Sequence, residues 1–157
     1  MAGNISQARD IMTRKLVNVR SDMDVFDAID LLIKHKISGA PVLDAGGKYV
    51  GVFSERNCLN MIVSAAYDQL PSTRVEAFMA TDNPTISEGD DIFTIAQVFT
   101  KTYARRLPVL RDGELIGQVS RRDVLSAVHR AVQGADDPEN QLLYLSSLTS
   151  REEAPVR

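Results

Sequence analysis

The sequence predicts an α/β (α+β) fold built from two β-α-β-β-α repeats packed with pseudo-twofold symmetry. Three observations carry this expectation. GVFSERN at residues 51–57 and GQVSRRD at residues 117–123 share one pattern, Gly-x-x-Ser-x-x-(Asn/Asp), ahead of a short apolar helix. Earlier landmarks recur 67 residues apart: Met12 with Met79, Val19 with Ile86, Asp24-Val25-Phe26 with Asp91-Ile92-Phe93, and Pro41-Val42-Leu43 with Pro108-Val109-Leu110. Later ones recur 66 apart: Gly51 with Gly117, Ser54 with Ser120, Arg56 with Arg122, Leu59 with Leu125. The lost residue falls between DAGG at 44–47 and RDG at 111–113, a hairpin turn that tolerates a change of length. Self-similarity of this size means two like supersecondary units that bury surface only by packing together.

Each unit reads the same way along the chain. A short extended piece opens it, at residues 16–19 and 85–87. A helix follows, with apolar positions Val25, Ala28, Ile29 and Leu32 in the first copy and Ile92, Ile95, Ala96 and Phe99 in the second. Both sets follow i, i+3, i+4, i+7, one face of a 3.6-residue period. The Ala28-Ile29 order is reversed in Ile95-Ala96, which conserves buried volume. A strand comes next, APVL at 40–43 or LPVL at 107–110, then a Gly- and Asp-rich turn and a second strand at 48–53 or 114–119. Pro41 and Pro108 are expected at strand starts, where a missing N–H costs little. The closing helix carries Cys58, Met61 and Ile62, or Val124, Leu125 and Val128. Residues 1–10 read as an N-terminal extension, 11–63 as the first repeat, 64–77 as a linker, 78–130 as the second repeat and 131–157 as a tail. Breaks are expected at Leu70-Pro71-Ser72 and at residues 134–138. The tail is expected to hold one short helix with Leu142, Leu145 and Leu148 on one side, docked because a lone helix of that length is marginal in water; its last residues read as frayed. Two similar clefts follow, one per repeat.

Composition narrows the class. The chain has 157 residues, 44% hydrophobic, with a net charge of -3. That charge disfavours nucleic acid as a partner, although the second repeat is locally basic. The single cysteine, Cys58, excludes an internal disulfide. No apolar run reaches the roughly 18 residues of a membrane span, and the N-terminus lacks a signal-type apolar stretch. A cytoplasmic protein is the expectation.

The repeated motif has a purely structural reading. Ser120 at a helix N-cap with Asp123 three residues on is a capping box, and Ser54 with Asn57 a weaker one. The readings are compatible, because a helix N-terminus is also an anion site. Asp90-Asp91 and Asp136-Asp137 read as helix starts. His35 and His129 have no second ligand at metal spacing, so no metal site is expected. Cys58 reads as a small core residue with no histidine to activate it. No Walker or dinucleotide glycine motif is present, and no acid–base pair is assembled. A non-enzymatic role is expected.

Three paired features, the Ile11-Met12 or Phe78-Met79 lead-in, the Pro-Val-Leu strand and the Gly-x-x-Ser-x-x-(Asn/Asp) motif, resemble the tandem CBS (cystathionine-beta-synthase-type) domain pair, or Bateman module. The resemblance covers about residues 11–128. It implies a free-standing regulatory module that binds an adenosine nucleotide (AMP, ADP or ATP), with magnesium left open and no redox cofactor. In such a module the serine lies near phosphate, the acidic residue holds the ribose hydroxyls, and main chain of the first strand and of the proline-valine strand encloses the base. Carried over, one site uses Ser120 and Asp123, with Thr85, Ile86, Leu107 and Pro108 around the base and Arg105, Arg106, Arg121 and Arg122 as phosphate candidates. The other uses Ser54 and Asn57, with Val17, Val19, Ala40 and Pro41. An amide at Asn57 gives up a charge-assisted bond to ribose, so the Asp123 site is expected to be the stronger. Arg105, Arg106 and Arg121 replace Ser38, Gly39 and Glu55 of the first copy, which favours the same site. As solvated surface groups these arginines would instead pair with Asp112 or Glu114. Two alternatives stand beside the sensor: an assembly module with vestigial clefts, and a site for S-adenosylmethionine. A homodimer through the CBS helices is expected, with an unidentified regulated protein as partner.

Overall fold

The computed structural model describes residues 5–67, 72–133 and 137–152. Of the expected breaks at 70–72 and 134–138 and the expected frayed end at 151–157, residues 70–71, 134–136 and 153–157 lie outside the described residues, while Pro138 opens and Glu152 closes the last helix. The first repeat contains β1 (Val19–Arg20), α2 (Val25–His35), β2 (Gly39–Leu43), β3 (Tyr49–Ser54) and α3 (Glu55–Tyr67), preceded by a short α1 (Ala8–Ile11). A 3₁₀ turn at Val75–Ala77 leads to β4 (Ile86–Ser87), α4 (Ile92–Thr100), β5 (Arg106–Arg111), β6 (Glu114–Ser120) and α5 (Arg121–Val132), and α6 (Pro138–Glu152) follows. The β-α-β-β-α order is present twice.

Each repeat forms a three-stranded sheet, β1-β2-β3 or β4-β5-β6, with the first pair parallel and the second antiparallel. The first strand starts later than the expected residue 16, because parallel pairing begins only at Val19 against Val42. Pro41 and Pro108 stand inside β2 and β5, not at their starts, but β1 and β4 pair only with the residues after them. Opposite Pro41, the amide and carbonyl of Val52 both bond to Ala80 on the far edge. Pro41–Val52 is therefore a non-hydrogen-bonded pair, and the ladder asks for no proline N–H. Gln118 is engaged with Thr13 in the same way opposite Pro108. The β5–β6 hairpin turns at Asp112 and Gly113, both at positive φ (51° and 81°), the signature of a tight type I′ turn.

Buried side chains fall into two clusters, one per repeat, and each is completed by the other repeat's lead-in. Val19, Val25, Ala28, Leu32, Val42 and Phe53 take Val75, Phe78 and Met79; Ile86, Ile95, Phe99, Leu107, Val109 and Val119 take Ala8, Ile11 and Met12. The backbone exchange is reciprocal. Ala8 N–H donates to Asp90 O (2.8 Å) and Val75 N–H to Met23 O (3.0 Å); Ile92 N–H donates to Ser6 O (3.1 Å) and Val25 N–H to Thr73 O (2.6 Å). The segment read as an N-terminal extension, and part of the linker, are thus structural parts of the opposite repeat. Gly51 and Gly117 are glycines for this reason: a Cβ at Gly117 would stand 2.5 Å from the Met12 sulfur, and one at Gly51 would overlap the Ala80 carbonyl oxygen.

The helix faces follow the periodicity. Val25, Ala28 and Leu32 of α2 and Ile92, Ile95 and Phe99 of α4 are buried. Asp24 and Asp91 cap these helices, accepting from Phe26 N–H (2.8 Å) and Phe93 N–H (2.9 Å). On the closing helices the buried residues are Cys58 and Met61, and Val124 and Ala127, while Ile62 and Leu125 face outward. On α6 the inward positions are Gln141, Leu145 and Leu148; Leu142, expected on that face, is exposed. A true helical stripe steps by three and four, and Leu142 falls off it. Among the described residues no helix is long and apolar enough to cross a membrane.

Candidate functional site

The second repeat's motif sits where β6 runs into α5. Ser120 caps α5, its Oγ accepting from Asp123 N–H (3.1 Å), while Asp123 Oδ2 accepts from Ser120 N–H (2.7 Å). The capping box is therefore present, yet it leaves two groups unused: the Ser120 hydroxyl proton and Asp123 Oδ1 have no partner among the described residues. The first repeat's motif is closed on itself. Ser54 Oγ donates to Asn57 Oδ1 (2.8 Å), which also accepts from Ser54 N–H (2.9 Å). The carboxylate leaves an acceptor for a ligand hydroxyl; the amide leaves only its NH₂ donor.

Ser120 and Asp123 line a cleft of about 310 Å³ together with Thr13, Lys15, Leu16, Val17, Ile37, Gly39, Arg106 and Gln118. That volume is at the low end for small-molecule sites. The cleft is shared between repeats. Thr13 bridges to Gln118 on the open edge of β6, with Thr13 N–H to Gln118 O at 2.9 Å and Gln118 N–H to Thr13 O at 3.0 Å. That bridge carries residues 15–17 of the first copy alongside the serine and aspartate of the second.

Of the residues expected around Asp123, the cleft contains Ser120 and Arg106. Leu107, Pro108 and Ile86 are buried, and Thr85 is exposed beside β4; none of the four lines the cleft. Val17, expected with Ser54 and Asn57, lines the Asp123 cleft instead, while Val19, Ala40 and Pro41 are buried. The exchange of lead-in segments is what places Val17 of the first copy beside the second copy's motif. Arg105, Arg121 and Arg122 are exposed outside the cleft lining, and Arg121 Nε donates to Ala104 O (3.2 Å). The ion pairs among the described residues are Arg20–Asp22, Arg74–Glu76 and Arg111–Glu88, so none of these arginines pairs with Asp112 or Glu114. Lys15, Leu16, Thr13, Ile37, Gly39 and Gln118 were not legible as site residues. Their only sequence signal is that the first three follow the repeated Ile11-Met12 lead-in.

Among the described residues no group of three or more His, Cys, Asp and Glu could hold a metal ion. Cys58 is buried near the start of α3, and burial, with a smaller push from the Glu55 charge against a lowering backbone hydrogen bond, moves its thiol pKa up. It is a poor nucleophile there.

The sequence model of the CBS domain matches this chain twice, at residues 8–64 and 75–130. The chain belongs to the CBS domain family. Among relatives of this CBS pair, the uncharacterized protein MJ1426 of Methanocaldococcus jannaschii is 34% identical over 157 residues, covering 80% of this chain and 93% of its own length. The A-adding tRNA nucleotidyltransferase of Aquifex aeolicus is 30% identical over 78% of this chain, which spans 14% of that enzyme. Among solved structures, CBSX2 in complex with AMP matches with a TM-score of 0.67 and 29% identity, over 79% of this chain and 96% of that one. A structure of CBSX2 from Arabidopsis thaliana matches with the same TM-score and 28% identity, over 81% and 96%. The CBS domain pair of protein MJ0100, solved with 5′-methylthioadenosine and S-adenosyl-L-methionine, shares the fold at a TM-score of 0.67 and 22% identity, over 78% and 95%.

Proposed function

We propose that this CBS pair is a regulatory module that binds an adenosine nucleotide (AMP, ADP or ATP) in the cleft of Ser120 and Asp123. The observation that carries the reading is the unused pair of groups there. Asp123 Oδ1 is free to accept from a ribose hydroxyl, and the Ser120 hydroxyl and the α5 N-terminus stand ready for an anion. The CBSX2 complex with AMP supports the ligand class. The module is non-enzymatic, and its output passes to a separate regulated protein in the cytoplasm. Ligand acts as a switch by binding one arrangement of the repeats, or of two subunits, more tightly than another.

The working unit is a homodimer joined through the closing helices. Leu59 on α3 and Leu125 on α5 hold equivalent places in the two repeats, and both are exposed, at 62% and 69%. Ile62 and Val63 extend the apolar patch on α3. Burial of such patches in a closed twofold contact is the common outcome.

The test is isothermal titration of AMP, ADP, ATP and S-adenosylmethionine against wild type, Asp123→Ala and Asp123→Asn. Asparagine retains an acceptor for the Ser120 N–H, so the cap survives while the charge is lost. Saturable binding of one adenosine nucleotide, weakened at least tenfold by both variants, supports the reading. No heat and no thermal stabilisation from any of the four, on folded wild type, overturns it.

A further inference from the structure

The two lead-in crossings are equivalent, and they carry opposite charge. Thr13 bridges to Gln118 and Ala80 bridges to Val52; each pair of positions is related by the repeat offsets. Two residues beyond the bridge stands Lys15 in one crossing and Asp82 in the other. Arg106 and its repeat equivalent Gly39 both line the Asp123 cleft, so the difference in charge between the two places rests on Lys15 and Asp82. The motif itself ends in Asp123 on one side and Asn57 on the other. The Asp123 cleft thus has Lys15 where the equivalent crossing has Asp82, and Asp123 where the other motif has Asn57.

The cations of the Asp123 cleft are uncommitted. Neither Lys15 nor Arg106 belongs to any ion pair among the described residues. Both line the same cleft as Asp123 without pairing to it. Asp82 adds the opposite field at the equivalent crossing. A carboxylate repels phosphate at short range, where screening by salt is weakest.

We infer that Lys15 and Asp82 sort ligands by charge: the Asp123 cleft is a phosphate-bearing nucleoside site whose phosphate is held by Lys15 and Arg106, and the equivalent place beside Asn57 rejects phosphate. This inference rests on the proposed nucleotide-binding reading and adds the residues that select for charge. It also sets the stoichiometry at one AMP per chain.

The experiment is titration of AMP and of adenosine, at low and high salt, into the full chain as wild type and as Lys15→Asp. Lys15 is exposed, so the variant keeps the fold, checked by its melting temperature. Wild type is expected to bind one AMP per chain, with an affinity that falls as salt rises, while adenosine binding is insensitive to salt. Lys15→Asp is expected to weaken AMP by about tenfold or more and adenosine by less than twofold. Binding of two AMP with equal affinity by wild type, or an unchanged AMP-to-adenosine ratio in Lys15→Asp, overturns charge sorting and leaves the nucleotide-binding reading intact. Absence of binding by wild type to both probes overturns the two together.

Discussion

Replacing Gly51 by alanine tests the exchange of lead-in segments at its tightest point. The new Cβ would overlap the carbonyl oxygen of Ala80 and meet the Met79 sulfur at 3.4 Å. That oxygen is backbone and is held in place: it accepts from Val52 N–H at 2.9 Å, and Ala80 N–H donates to Val52 O at 2.9 Å. Relief requires the crossing to lift, which weakens two hydrogen bonds of about 1 kcal/mol each. Overpacking adds about 1–3 kcal/mol. The expected loss is about 3 kcal/mol, a fall in Tm of roughly 6–12 °C for a chain of this size. Gly117→Ala is the internal control. The three atoms nearest its Cβ all belong to the Met12 side chain, at 2.5 Å to the sulfur, 2.9 Å to Cγ and 3.1 Å to Cβ. An unbranched thioether turns aside at little cost, so this variant is expected to lose about 1 kcal/mol. Urea unfolding of both variants, compared at equal m-value, gives the energies. A Gly51→Ala protein within 1 kcal/mol of wild type, or equal costs at the two glycines, would refute the reasoning.

Further expectations follow from single contacts. The Arg111 side chain, hydrogen-bonded to Glu88 at 2.8 and 3.0 Å, holds the Glu88 carboxyl below its ordinary pKa. Its stabilising contribution is therefore present above the usual glutamate value of about 4.3 and is lost as pH falls through the lowered one. Thermal melts should show the Tm gap between wild type and Arg111→Met shrinking below pH 4, and a gap that widens there would contradict the pairing. Cys58 is 8% exposed with a raised thiol pKa, so it should resist a thiol-disulfide reagent at pH 8 until urea unfolds the chain; prompt labelling of native protein would show the site to be open. Sedimentation should find a dimer for wild type and a monomer for Leu59→Glu with Leu125→Glu, with the fold retained because both side chains are exposed. A double variant that stays dimeric places the contact elsewhere.

Much of the fold was legible because its signals are local. The stripes Val25-Ala28-Leu32 and Ile92-Ile95-Phe99 are set by the helix period, and Asp24 and Asp91 announce their helices by capping them. The capping geometry of Ser120 with Asp123 was equally readable, since it spans one helical turn. Ile62 and Leu125 were less so: periodicity finds an apolar face, but it does not say whether the partner that covers it belongs to the same chain. Leu142 shows the cost of counting every third residue on a helix of 3.6 per turn.

The sequence by itself determined the repeat, the order of elements in each copy, the family resemblance and the chemical asymmetry between Asp123 and Asn57. The tertiary structure alone decided which residues share a cleft. Thr13 meets Gln118, and Ala80 meets Val52, through backbone bonds that any residue except proline can make, so no side-chain pattern marks them in the sequence. That crossing put Lys15 and Val17 of the first copy beside Ser120 and Asp123 of the second, because an unpaired sheet edge takes whichever strand the chain path brings to it.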